Sequence, residues 1–123
     1  MRMKTILVVD DEAAMREVIE DALSDAYAVT TVTNGNEALT KLVGQKFDLL
    51  ITDLVMPEMN GIDLMMGLQK NNPDQKIIAI SGGGGINGRF DYLPVAKLIG
   101  ACIVLRKPFT MTQLRDAVIR MLA

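Results

Sequence analysis

The chain has 123 residues, half of them hydrophobic, with a net charge of −2 and a pI near 5.0, a size and composition that fit one compact domain, residues 1–123, with a single core. No basic run exists, which argues against nucleic-acid binding through phosphate contacts. There is no histidine, which excludes Ser-His-Asp hydrolysis, histidine-ligated zinc and phosphohistidine carriage by this chain, and leaves carboxylate, lysine and hydroxyl chemistry.

Along the chain, short apolar runs alternate with helical patterns. Thr5 to Val9 reads as a first strand; it is too short for a secretory h-region or a membrane span, and acids follow it at once. Ala14, Val18 and Ala22 with Met15, Ile19 and Leu23 form one apolar helix side. Tyr27 to Val32 is a second strand, and its two threonines mark it as an edge. Ala38, Leu39, Leu42 and Val43 give a second helix, and Phe47 to Thr52 a third strand. Ile62, Met65, Met66 and Gln69 give a third helix, and Ile77 to Ile80 a fourth strand. The tract Ser81 to Phe90 holds Gly82–Gly85 and predicts a mobile loop. Asp91 to Ile99 is helical in pattern, with Pro94 fitting only its first turn. Ala101 to Leu105 is a fifth strand and contains the single cysteine, Cys102, which reads as a buried small residue. A lone cysteine excludes an internal disulfide and is consistent with a cytoplasmic location. Leu114, Ala117, Val118 and Met121 form the last helix, started by a Thr110–Gln113 capping box. Strand and helix alternate five times with short connections, which predicts an α/β domain with a parallel sheet and helices on both faces.

The polar residues fall at the carboxyl ends of the strands: Asp10 and Asp11 after the first, Asp53 after the third, Ser81 after the fourth, Lys107 after the fifth. In an open parallel sheet ligands bind outside these ends. Each residue alone has a plainer reading. Asp11 could be a helix N-cap, Ser81 a loop starter, Lys107 a solvated charge and Lys107-Pro108 a turn. Together they form a rim of three acids, a hydroxyl and an amine. Clustered acids repel, and a hard cation with oxygen ligands, Mg²⁺, relieves that repulsion. A carboxylate beside such a cation is a competent nucleophile for phosphorus, with the lysine and the hydroxyl meeting the transferring oxygens.

The segments LVVDDE, ITDLVMPEMNG, the serine closing the fourth strand, and LRKPF resemble the receiver domain of bacterial two-component response regulators, over essentially the whole chain. The resemblance implies a doubly wound, flavodoxin-like sheet of order 2-1-3-4-5 with five helices. It implies Asp53 as phosphoacceptor. It further implies Asp11 as a direct Mg²⁺ ligand, Asp10 as one acting through water, and Asp53 with the backbone carbonyl of Val55 completing the metal shell. Lys107 would pair with phosphoryl oxygens, Ser81 would reach toward the arriving group, and Pro108 matches a position where the Lys-Pro bond is usually cis. The donor would be a phosphohistidine on a sensor histidine kinase or a histidine phosphotransfer protein. Such a domain catalyses only its own phosphorylation and dephosphorylation, and it contacts neither membrane nor nucleic acid.

Two positions depart from the family pattern. Val104 stands where an aromatic switch residue is usual, and valine is small and stiff. The span from Ser81 to Lys107 is about four residues longer than is common in the family; either ordering of the Gly82–Gly85 loop replaces the aromatic switch, or the tract is a passive linker. A haloacid-dehalogenase-type phosphatase would need an acid where Val55 stands. A flavodoxin would need a hydroxyl-rich loop where Asp-Asp-Glu would repel FMN phosphate. A Walker A ATPase would need a Gly-Lys-Ser/Thr motif that does not occur. The remaining alternative is a receiver-shaped interaction module that is never phosphorylated. The sequence ends at Ala123, just after the last helix, so a stand-alone receiver or an excised N-terminal domain is expected. The downstream partner is unnamed, and Leu93, Val95, Arg106 and Gln113 are candidate contact positions.

Overall fold

The structure, a computed structural model, describes residues 2–54, 61–71, 73–81 and 103–123. Its elements in chain order are β1 (Thr5–Val9), α1 (Ala13–Leu23), β2 (Ala28–Val32), α2 (Gly35–Gly44), β3 (Leu49–Asp53), α3 (Gly61–Asn71), β4 (Ile77–Ser81), β5 (Ile103–Arg106) and α4 (Met111–Leu122). All neighbouring strands pair in parallel, in the order β2-β1-β3-β4-β5. The doubly wound α/β sheet expected from the sequence is therefore present, and the threonine-bearing β2 is an edge as its composition predicts. The helix expected over 91–99, the glycine tract 82–85, Val55, Leu93, Val95 and Cys102 lie outside the described residues.

The continuous apolar strands are explained by burial on both faces. Successive side chains go to opposite sides. Leu7, Val9, Leu50, Ile77 and Ala79 pack under α2 and α3 with Ala38, Leu64 and Leu68. Ile6, Val8, Leu49, Ile51, Ile78 and Ile80 pack under α1 and α4 with Ile19, Leu23, Leu114, Val118 and Met121. The capping box of α4 is formed, with Gln113 N–H donating to Thr110 Oγ1 at 3.0 Å and Thr110 N–H to Gln113 Oε1 at 2.8 Å.

Three helix faces differ from expectation. In α1 the buried stripe is Ile19 and Leu23 with Met15 and Ala22 against it, whereas Ala14 and Val18 are exposed. The apolar set was wider than the one face a helix offers a sheet. In α2, Val43 is 90% exposed, one residue beyond the stripe of Ala38 and Leu42 spaced at i and i+4. In α3 Met66 is exposed, and among the described side chains the buried ones are Leu64 and Leu68; the side chains of Ile62, Met65 and Gln69 lie outside those described.

At the amino-terminal end of the sheet, Asp48 ties β3 to β1. Its Oδ2 accepts from Thr5 N–H at 2.8 Å and Thr5 Oγ1 at 3.1 Å, and Arg2 Nη1 lies 3.2 Å away. The Thr5 backbone bond, then Arg2, lowers its pKa to about 2. A depressed folded-state pKa gives stability that is present above the ordinary carboxylate range and is lost as pH falls toward 2. Asp48→Ala is expected to lower the unfolding free energy by about 1–2 kcal/mol at pH 7. In urea titrations the gap from wild type should close as pH drops from 5 to about 2; an unchanged gap would contradict this role.

Candidate functional site

The sheet order reverses between β1 and β3, and the crevice at their carboxyl ends is where such a sheet binds ligands. Asp10 follows β1, and its N–H donates to Val32 O at 3.2 Å, carrying the ladder one residue past the strand. Its Oδ1 accepts from the Glu12 N–H at 2.8 Å, an Asx-type turn that leads the chain into α1. Arg16, one turn into α1, donates through Nη1 to Asp10 O at 2.8 Å. The backbone on either side of Asp10 is thus fixed. Its Oδ2 is buried and is the one such side-chain oxygen among the described residues that lacks a hydrogen-bond partner.

Asp53 is the last residue of β3 and is 4% exposed. It is carried there by a strand that is buried throughout, paired with β1 on one side and β4 on the other. Asp11 is exposed beside it, and one carboxylate oxygen from each of Asp10, Asp11 and Asp53 lies within 4.8 Å of the others. The residue before α1 is Glu12, not Asp11, so Asp11 does not cap that helix. Oxygen donors only, negative charge and one buried, unpartnered oxygen are what a hard divalent cation requires.

Lys107 closes the site from the far side. Its N–H donates to Ser81 O at 2.8 Å, and its Nζ lies 3.1 Å from Asp53 Oδ2. The Lys107-Pro108 peptide is cis. Ser81 ends β4, is 1% exposed and pairs with Arg106. Val104 pairs with Ala79 and packs against the core under α2 and α3. Arg106 and Gln113 are exposed. One participant was absent from the sequence reading: Glu12 Oε1 lies 3.5 Å from Lys107 Nζ. Its only signal was adjacency to the Asp10-Asp11 pair.

The electrostatics follow from burial. Burial raises the Asp10 carboxyl to about 6; the Glu12 N–H and Lys107 oppose this, while the charges of Asp53 and Asp11 add to it. Burial works against the Lys107 ammonium, but the Asp53 hydrogen bond and the charges of Asp53, Asp10 and Glu12 outweigh it. Its pKa lies above the ordinary lysine value. The site therefore holds a protonated amine over a buried carboxylate, with two more carboxylates alongside. This arrangement can hold a cation and present a carboxylate oxygen to an electrophile whose negative charge the amine neutralises.

Residues 6–119 match the family model described as the response regulator receiver domain. The chain is 39% identical over 123 residues to the response regulator receiver protein CpdR of Brucella abortus, covering 98% of each. It is 34% identical to the DNA-binding transcriptional regulator NtrC of Azospirillum brasilense, covering 99% of this chain and 25% of that protein. It thus spans nearly all of one relative and about a quarter of the other. Among solved structures, the response regulator protein TrrA of Thermotoga maritima, in complex with Mg(2+)-BeF, superposes with a TM-score of 0.84 at 32% identity, covering 98% of this chain and 100% of that one. A response regulator receiver domain protein from Clostridium thermocellum superposes at 0.86 with 30% identity, covering 97% and 94%.

Proposed function

The chain belongs to the response regulator receiver domain family of two-component systems, and on that premise we propose that it takes a phosphoryl group from a partner's phosphohistidine onto Asp53. The observation that carries this is the Lys107 ammonium 3.1 Å from Asp53 Oδ2, set against three convergent carboxylates. In the transfer, an Asp53 oxygen attacks phosphorus in line with the leaving imidazole nitrogen. The O–P bond forms as the N–P bond breaks, and the imidazole keeps the electron pair. Lys107 releases its hydrogen bond to the carboxylate and neutralises a phosphoryl oxygen. The Ser81 hydroxyl donates to another. Asp10, Asp11, Asp53 and the Val55 carbonyl would hold Mg²⁺, which when bound neutralises charge on the phosphoryl oxygens. Asp10 meets this role with a fixed backbone and an oxygen that lacks a partner.

The domain modifies only itself and turns over no other substrate. Its donor is a sensor histidine kinase or a histidine phosphotransfer protein, and it works in the cytoplasm. No helix among the described residues is long and apolar enough to cross a membrane. Phosphorylation acts by shifting a conformational equilibrium that a downstream protein reads, which requires that protein to bind the two states with different affinity.

Beryllofluoride mimics the acyl phosphate and tests this directly. Fluorine NMR is expected to show protein-bound beryllofluoride in wild type with Mg²⁺, and none in Asp53→Ala or without Mg²⁺. Absence of the bound signal in wild type would favour the interaction module that is never phosphorylated.

A further inference from the structure

Glu12 precedes α1, yet its side chain makes no capping bond to that helix. It crosses to a residue 95 positions on, placing Oε1 3.5 Å from Lys107 Nζ, with 63% of the Glu12 side chain exposed. Lys107 is thus shared between a buried carboxylate at 3.1 Å and an exposed one at 3.5 Å. The buried partner is the acceptor. The exposed partner lies on the solvent side, where an incoming phosphoryl donor arrives.

On the phosphoacceptor reading given above, we propose that Glu12 is a donor-selecting residue: its ion pair with Lys107 offsets the cation that would draw in an anionic phosphodonor, and so disfavours free, highly charged small donors. The physical reason is local. Lys107 neutralises the arriving phosphoryl oxygens, and a second carboxylate on the same ammonium weakens that attraction. A donor of lower net charge meets a smaller penalty. The chain thereby takes its phosphoryl group less readily from dianionic metabolite-type acyl phosphates than the Lys107–Asp53 pair alone would allow.

Two small donors of different charge separate the effect. Acetyl phosphate is a dianion at neutral pH: the Asp53 O–P bond forms, the acetyl O–P bond breaks, and acetate leaves with the electron pair. Phosphoramidate is a zwitterion of one net negative charge: its P–N bond breaks and ammonia leaves. Glu12→Gln is expected to raise the acetyl phosphate rate about threefold to fivefold, and the phosphoramidate rate by less. The acetyl phosphate to phosphoramidate ratio therefore rises at low salt and returns toward wild type in about 1 M salt. In a Lys107→Gln background the Glu12 substitution should leave the ratio unmoved. A role confined to the α1 terminus would change stability but not this ratio. An unchanged ratio in Glu12→Gln overturns the inference, and so does an equal rise in the Lys107→Gln background. Wild type that labels with neither donor would instead overturn the phosphoacceptor reading.

Discussion

Lys107→Ala is expected to slow phosphorylation of Asp53 by a small donor about a hundredfold, the range seen when one preorganised donor to a developing charge is removed. The geometry sets the direction. The ammonium is 3.1 Å from the acceptor oxygen, and its backbone N–H is tied to Ser81 O at 2.8 Å, so it is in place before the phosphoryl group arrives. In the transfer it exchanges the Asp53 oxygen for a phosphoryl oxygen on the same rim. The same substitution removes a cation from among three carboxylates, so Mg²⁺ should bind the variant more tightly than wild type. Rapid-quench intact-mass kinetics and Mg²⁺ titration would record the two changes in opposite directions. A rate within a few-fold of wild type would remove Lys107 from the chemistry.

Asp10→Asn is expected to stabilise the metal-free protein by up to about 3 kcal/mol at pH 7.5. Burial raises the Asp10 carboxyl from 3.8 to about 6. A raised folded-state pKa gives stability that is complete below the ordinary value and is lost as pH rises through about 6. At neutral pH the folded, metal-free protein bears an ionised, buried carboxylate with one unpartnered oxygen. The amide is neutral, has nearly the same shape, keeps an oxygen for the Glu12 N–H and turns an N–H₂ toward the neighbouring acids. Between about pH 4 and 6, wild type should lose stability relative to the variant. With Mg²⁺ at a hundred times its dissociation constant, wild type should regain about 2.7 kcal/mol, while the variant regains little. Thermal and urea unfolding with and without Mg²⁺ would measure both. A variant less stable than wild type without metal would contradict the assigned cost of Asp10.

The strand ends were the legible part of this sequence. Runs such as Leu49-Leu50-Ile51 are apolar because both faces of the sheet are covered, so an acid at Asp53 cannot be a mid-strand residue and has to mark a site at the strand's end. The same reasoning placed Asp10, Ser81 and Lys107 on one rim, and two threonines placed β2 at the edge. The opposite edge was less visible. β5 reads as apolar as the central strands, yet Ile103, Val104 and Leu105 are only partly buried and Arg106 is exposed. Helix faces were read too broadly, because alanine, valine and methionine at Ala14, Val18 and Met66 are apolar without being core. Contacts between distant residues carried no local signal. Asp48 meets Thr5 and Arg2 because β1 and β3 are neighbours in the sheet, and Glu12 meets Lys107 across the carboxyl ends of strands that are not adjacent.

The most direct test is the intact mass after incubation with Mg²⁺ and phosphoramidate, with Asp53→Ala and a metal-free sample alongside. Wild type should gain one phosphoryl group, and neither control should gain any. No gain with phosphoramidate or with acetyl phosphate, or a gain that persists in Asp53→Ala, would contradict Asp53 as the acceptor.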